Sequence, residues 1–161
     1  MVKKASVLFV CMGNICRSPA AEAILRAVGK QAEQDILVES AGTEDYHVGE
    51  SPDSRMRSAA LKRGFSLNSR GRHVQASDLV PGCYDLVVAM DHANLKRLRA
   101  IAPGTTAHIR LFSEFLAEIP RGDWPEEVPD PYYGGADGFE YVLDMLQAGC
   151  PNLLSTLLNA K

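Results

Sequence analysis

The sequence predicts an open, mostly parallel α/β sheet in one domain. Three observations carry this reading. Short apolar, β-branched runs alternate with segments of helical period. The chain has 161 residues, within the ~100–200 of one domain. Hydrophobic residues make up 46% and charged residues 23%, which is globular usage and excludes disorder and collagen-like repeats.

The elements follow in order. Ser6–Val10 reads SVLFV, a short continuous apolar run suited to a buried parallel strand. Ser18-Pro19 opens a helix, with Ser at the cap and Pro in the first turn. Ala20, Ala23, Ile24, Ala27 and Val28 hold helical spacing, and Gly29 is the expected stop. Ile36–Ser40 is the second strand, and Ser54–Arg63 a basic helix closed by Gly64. Leu86–Met90 is the third strand, followed by a helix over Ala93–Ile101 that Pro103-Gly104 ends. Ala107–Leu111 is a weaker fourth strand. Pro120–Gly138, with four prolines and four glycines, reads as a long loop. Phe139–Leu158 is a closing helix that Gly149-Cys150-Pro151 should bend or break.

Charge is uneven. Residues 1–112 carry +4 and residues 113–161 carry −7, within a net charge of −3. From Ser54 to Ser77 there are six Lys/Arg and no acid. On charge alone a solvated basic face is the simpler reading, and an anion-attracting surface the other. A pI of 5.8 and the lack of a basic stripe interleaved with aromatics argue against nucleic acid. No apolar run approaches the ~18 residues of a membrane span, and the short run after Lys4 lacks the features of a signal peptide. A cytoplasmic, membrane-free location is expected. Cys11, Cys16, Cys83 and Cys150 have neither the export context of disulfides nor a zinc-ligand spacing, so no metal is expected.

In parallel sheets, ligands sit beyond the carboxyl ends of the strands. The loop there reads Cys11-Met12-Gly13-Asn14-Ile15-Cys16-Arg17-Ser18-Pro19. Gly13 and Asn14 allow tight turning with positive φ. Arg17 and Ser18 stand where a helix begins, and a helix N-terminus attracts anions. Arg17 adds a planar fork for two phosphate oxygens. The same surroundings should lower the pKa of Cys11 and make it a thiolate. An anion cradle and an activated nucleophile on one loop suit displacement of a phosphoryl group onto sulfur. The run is neither a Walker loop nor a dinucleotide fingerprint.

The run C-M-G-N-I-C-R-S-P-A-A-E at Cys11–Glu22 resembles the signature of the low-molecular-weight protein tyrosine phosphatases. Asp130-Pro131-Tyr132-Tyr133-Gly134 resembles that family's D-P-Y-Y-G element. Glu39-Ser40-Ala41-Gly42-Thr43 and Ala89-Met90-Asp91 resemble further segments in the expected order. The resemblance spans essentially the whole chain. It implies one three-layer domain over residues 1–161, with a four-stranded parallel sheet of flavodoxin-like, doubly wound topology. It also implies metal-independent hydrolysis of phosphotyrosine through a phosphocysteine, with no cofactor. Tyrosine-phosphorylated proteins would be the substrates, a tyrosine kinase the counterpart, and a monomer or weak dimer the working form.

The resemblance also assigns roles. Cys11 is the nucleophile, Arg17 and the loop Met12 to Ser18 hold the phosphoryl oxygens, and Asp130 is the general acid. Pro129 and Pro131 restrict the backbone around Asp130. Ser18 caps the helix and, by resemblance, eases departure of the Cys11 sulfur. Asn14 is expected in a network with Ser40 and His73, and Glu22 opposite His73. Asp91 is expected to be structural. Met12, Ile15, Tyr46, Tyr132 and Tyr133 would wall the pocket. Cys16 lies on the loop that wraps the phosphate, so an oxidised Cys11 would close a disulfide with it.

Three other readings compete. An arsenate reductase on this fold needs a relay of two further cysteines, and only Cys83 lies near the third strand. A protein-arginine phosphatase carries Thr where this chain has Ile15. A catalytically dead phosphotyrosine-binding module would lack turnover of an aryl phosphate.

Overall fold

The computed structural model describes residues 4–117 and 123–159. Its strands are β1 (Ala5–Cys11), β2 (Ile36–Gly42), β3 (Leu86–Ala89) and β4 (Ile109–Leu111). They form a sheet in the order β2-β1-β3-β4, and every pairing is parallel. The helices are α1 (Arg17–Gln31), α2 (Ser54–Lys62), α3 (His92–Ile101) and α4 (Ala136–Asn159). This is the doubly wound α/β arrangement expected from the sequence.

Alternation along β1 builds two cores. Val7, Phe9 and Cys11 join the cluster under α1, α2 and α4, while Leu8 and Val10 join the opposite cluster with Val87, Ala89 and α3 Leu98. Burying each such large side chain contributes about 1.5–3 kcal/mol. β1 is central, so both of its faces are covered and its carboxyl end opens between β2 and β3.

Several boundaries differ from expectation. α1 begins at Arg17 with Cys16 at the cap and no side-chain capping bond, so Ser18 is not the cap. Its hydroxyl is engaged by Cys11 and Asn14 instead. Gly29 does not stop α1. It packs inside the helix against β2, where a Cβ would fall 2.8 Å from Ile36 Cδ1. Asn14, at φ 57°, takes the left-handed turn of the loop; Gly13 does not.

α4 runs unbroken through Pro151. Leu153, Leu154 and Leu157 are buried beyond the proline, and Asn152 Nδ2 donates to the Phe115 carbonyl at 3.0 Å. That packing outweighs the lost backbone donor. The expected long loop is also shortened. Its residues 120–122 lie outside the described residues, Pro131–Tyr133 form a 3-10 turn, and α4 starts at Ala136 with Asp137 favouring its first turn.

Candidate active site

The carboxyl end of β1 delivers Cys11, buried to 2% exposure, to the floor of a cleft of about 240 Å³. The walls are Met12, Gly13, Ile15, Cys16, Arg17, Tyr46, His47, Asp130, Tyr132 and Tyr133. The structure thus brings together Cys11, Arg17 and Asp130, expected as nucleophile, cation and acid, with all five expected wall residues.

The loop's carbonyls are taken by its surroundings. Thr43 N–H donates to Cys11 O, Glu44 N–H to Met12 O and Asp53 N–H to Ile15 O, at 2.8–3.0 Å. Among the described residues, the N–H groups of Gly13, Ile15, Cys16 and Arg17 have no protein acceptor. They are available to an anion, as at any helix N-terminus. Asn14 N–H donates to Cys11 Sγ at 3.3 Å, and Ser18 Oγ lies 3.0 Å from the same sulfur.

Asn14 shapes the loop by other partners than expected. Its Nδ2 donates to Ser18 Oγ at 2.8 Å, and its Oδ1 accepts from Arg72 N–H at 3.0 Å. Ser40 and His73 do not reach it among its bonds. Ser40 Oγ donates to Glu22 Oε1 at 2.5 Å, and His73 Nε2 meets the Thr43 carbonyl at 3.0 Å. The expected Glu22–His73 pair is therefore absent; Glu22 also pairs with Arg26 at 2.7 Å. Glu22 projects from α1 to β2, whereas His73 stands on the chain that bridges to Gly42. Burial raises Glu22 above the usual carboxylate range, against the opposing bonds from Ser40 and Arg26.

Arg17 is buried and reached by three oxygens. Nη1 donates to Asp91 Oδ2 at 2.6 Å and to the Val128 carbonyl at 3.0 Å, and Nη2 lies 3.6 Å from Asp130 Oδ2. Burial opposes its charge, but Cys11, Asp91 and Asp130 outweigh it and hold the guanidinium protonated. Asp91 also caps α3 through Asn94 N–H. The cap fits the expected structural role, and the direct bond to Arg17 adds a tie to the cleft that the sequence does not show.

Asp130 is fixed by its own turn, with Oδ1 accepting Tyr132 N–H at 3.0 Å. Arg55 pins that turn to α2: Nη2 donates to Tyr132 O at 3.1 Å, and the guanidinium lies 5.3 Å from the Tyr132 ring. Tyr132 and Tyr133 meet edge to face at 5.0 Å. Tyr133 is 82% exposed and forms the rim, whereas Tyr132 is 37% exposed and forms the wall. Cys16 is buried beside the cleft as a free thiol. Burial pushes that thiol upward, and the neighbouring Asp53, Cys11 and Asp130 add to the shift.

The sequence reading missed His47, whose ring lies 6.3 Å from that of Tyr132, and Asp53 with Arg55. No local signal marks His47. The cap at Asp53, before a helix, was a readable one. Among the described residues, no group of three His, Cys, Asp or Glu is placed to hold a metal ion.

Residues 6–161 match the model of the family described as low molecular weight phosphotyrosine protein phosphatase. A low molecular weight protein-tyrosine-phosphatase of Streptomyces coelicolor is 43% identical over 155 residues, covering 94% of this chain and 92% of that protein. The crystal structure of a protein tyrosine phosphatase from Entamoeba histolytica superposes with a TM-score of 0.89 at 39% identity, covering 98% of this chain and 99% of the other. A Drosophila arginine phosphatase superposes at 0.82 with 33% identity, covering 93% and 96%. On the family match and this identity over nearly full length, the chain belongs to the low molecular weight phosphotyrosine protein phosphatase family.

Proposed function

We propose that this chain is one phosphatase domain that hydrolyses phosphotyrosine in proteins, with Cys11, Arg17 and Asp130 as its catalytic residues. The observation that carries this reading is their convergence on one cleft walled by Tyr46 and Tyr132. Phosphate enters against the free loop N–H groups. Its charge draws Arg17, whose Nη2 is the less committed nitrogen. Cys11 Sγ attacks phosphorus in line, and the phenolate leaves.

Asp130, at the cap of the turn that walls the same cleft, protonates that phenolate. Water, activated by the same carboxylate, then hydrolyses the phosphocysteine. Ser18 Oγ, 3.0 Å from Sγ, meets the charge that returns to sulfur as it leaves. The loop N–H groups and Arg17 supply the positive charge, so this route uses no metal. A tyrosine kinase would supply the substrate, in the cytoplasm. Among the described residues, no helix is long and apolar enough to cross a membrane.

A second reading, arginine phosphatase, is supported by the likeness to the Drosophila enzyme. Ile15 in the cleft wall favours the aryl substrate. The deciding experiment compares turnover of phosphotyrosine, phosphoserine and phosphoarginine peptides with a chelator present and vanadate as inhibitor. Phosphotyrosine is expected to be fastest, and Cys11→Ser to abolish turnover while retaining vanadate binding. Residual activity in that variant beyond a trace would remove Cys11 as the nucleophile.

A further inference from the structure

The six basic residues between Ser54 and Ser77 fall into two kinds. Arg55 pairs with Asp53, Arg63 with Glu140 and Asp144, and Arg72 with Asp78. Among the described residues, Arg57, Lys62 and Arg70 have no carboxylate at ion-pair distance.

Two of these converge. Arg57 Nε donates to the Pro52 carbonyl at 3.0 Å, and Arg70 Nη1 donates to Ser51 Oγ at 2.9 Å. Both guanidiniums thus rest on consecutive residues, held by neutral acceptors that leave their charge uncompensated. The same stretch of chain begins in the cleft wall with Tyr46 and His47.

The spacing to the cleft is rigid. Gly49 N–H donates to Gly71 O at 2.8 Å, and Gly71 N–H donates to Glu50 O at 2.9 Å. A Cβ on Gly71 would fall 2.2 Å from the His47 carbonyl, so only glycine permits this approach. Arg70, next in chain to Gly71, is thereby fixed relative to the cleft. Asp53 is already engaged by Arg55 at 2.9 Å, and Glu50 reaches His47 Nδ1 at 3.1 Å rather than either arginine.

We propose that Arg57 and Arg70 form a subsite for an acidic side chain, Asp or Glu, of the phosphorylated protein, beside the cleft that takes its phosphotyrosine. This rests on the phosphatase reading above and adds a substrate class to it. The subsite lies away from the reacting atoms, so it binds ground and transition states alike. It acts on KM rather than kcat, and it weakens with salt.

The test uses two phosphotyrosine peptides that differ only in carrying Glu or Gln on both sides of the phosphotyrosine, together with a small aryl phosphate. The parent should favour the Glu peptide in kcat/KM by about three- to tenfold, as two exposed charge contacts allow. At ~0.5 M salt the preference should shrink. The double variant Arg57→Gln/Arg70→Gln should lose the preference through KM, with turnover of the aryl phosphate and of the Gln peptide unchanged. Lys62→Gln removes the same charge from the groove between α2 and Gly134-Gly135, and should keep the preference.

A parent with no preference overturns the subsite. So does a double variant that keeps the preference, or a Lys62→Gln that loses as much. Absence of aryl phosphate turnover in the parent overturns the phosphatase reading itself, and the subsite with it.

Discussion

Asp91 holds Arg17 and α3 with its two oxygens at once: Oδ2 lies 2.6 Å from Arg17 Nη1, and Oδ1 accepts Asn94 N–H at 2.8 Å. The guanidinium that faces the cleft is thereby tied to the start of a helix on the other side of the sheet. A carboxylate is needed because each oxygen has its own donor.

Asp91→Asn leaves one acceptor for two donors. We expect a stability loss of about 1.5–3 kcal/mol, typical of a hydrogen bond to a charged group. We also expect kcat/KM on an aryl phosphate to fall on the order of tenfold, which corresponds to ~1.4 kcal/mol of transition-state stabilisation. Urea unfolding and steady-state kinetics read the two effects. Unchanged kinetics would reduce Asp91 to a helix cap.

Asp130→Ala should lower kcat on the order of 10²–10⁴-fold, the usual contribution of a general acid. Substrates with acidic leaving groups need no proton and should lose less. A leaving-group series measures this, and equal loss across it would take the acid role from Asp130.

Ile15→Thr should shift the ratio of kcat/KM values from phosphotyrosine toward phosphoarginine. The branched wall suits an aryl ring, whereas a hydroxyl can orient a more polar group. If the ratio stays put, selectivity resides in the tyrosines of the rim.

Mild peroxide should inactivate the enzyme, and a dithiol should restore it. The sulfenic acid of Cys11 condenses with the Cys16 thiol, forming the S–S bond and releasing water. Because burial and neighbouring acids raise Cys16, its thiolate is scarce at neutral pH and disulfide closure should quicken as pH rises. Cys16→Ser should keep much of the basal activity and recover poorly. Recovery equal to the parent's would make Cys16 a packing residue.

Glu22 gives a pH signature in stability. Its folded value is raised by burial, so the folded state holds that proton more tightly than the unfolded chain. The stabilisation is complete below the ordinary carboxylate value and is lost as pH climbs through the raised one. The difference in urea midpoint between the parent and Glu22→Gln should therefore decline as pH climbs above the ordinary carboxylate value of ~4.3. A flat difference would refute the raised value.

Local order in the chain explains what could be read beforehand. The loop from Cys11 to Ser18 is contiguous, so its residue types and spacing already describe a cradle. Asp130 stands in its own Pro-Asp-Pro frame, and the turn it caps is local too. The sheet followed from runs that each commit to one period. What escaped were choices among distant partners. Glu22 had Ser40, Arg26 and His73 as options, and only the packed sheet decides among them. Gly29 has the same residue type as a helix stop, yet it sits inside α1, packed against the Ile36 side chain on the next strand. Pro151 signals a break that the leucines beyond it override.

The Arg17–Val128 bond, spanning 111 positions of chain, sets an order of events during synthesis. A ribosome adding ~5–20 residues per second exposes the thiol-bearing loop roughly 5–20 s before the carbonyl that anchors its arginine. Asp130 arrives two residues after that carbonyl. On the proposed mechanism, the nascent chain carries its nucleophile without its proton donor throughout that interval. On that mechanism the enzyme is born unarmed, and the same closing segment that completes the sheet's covering also switches on its chemistry.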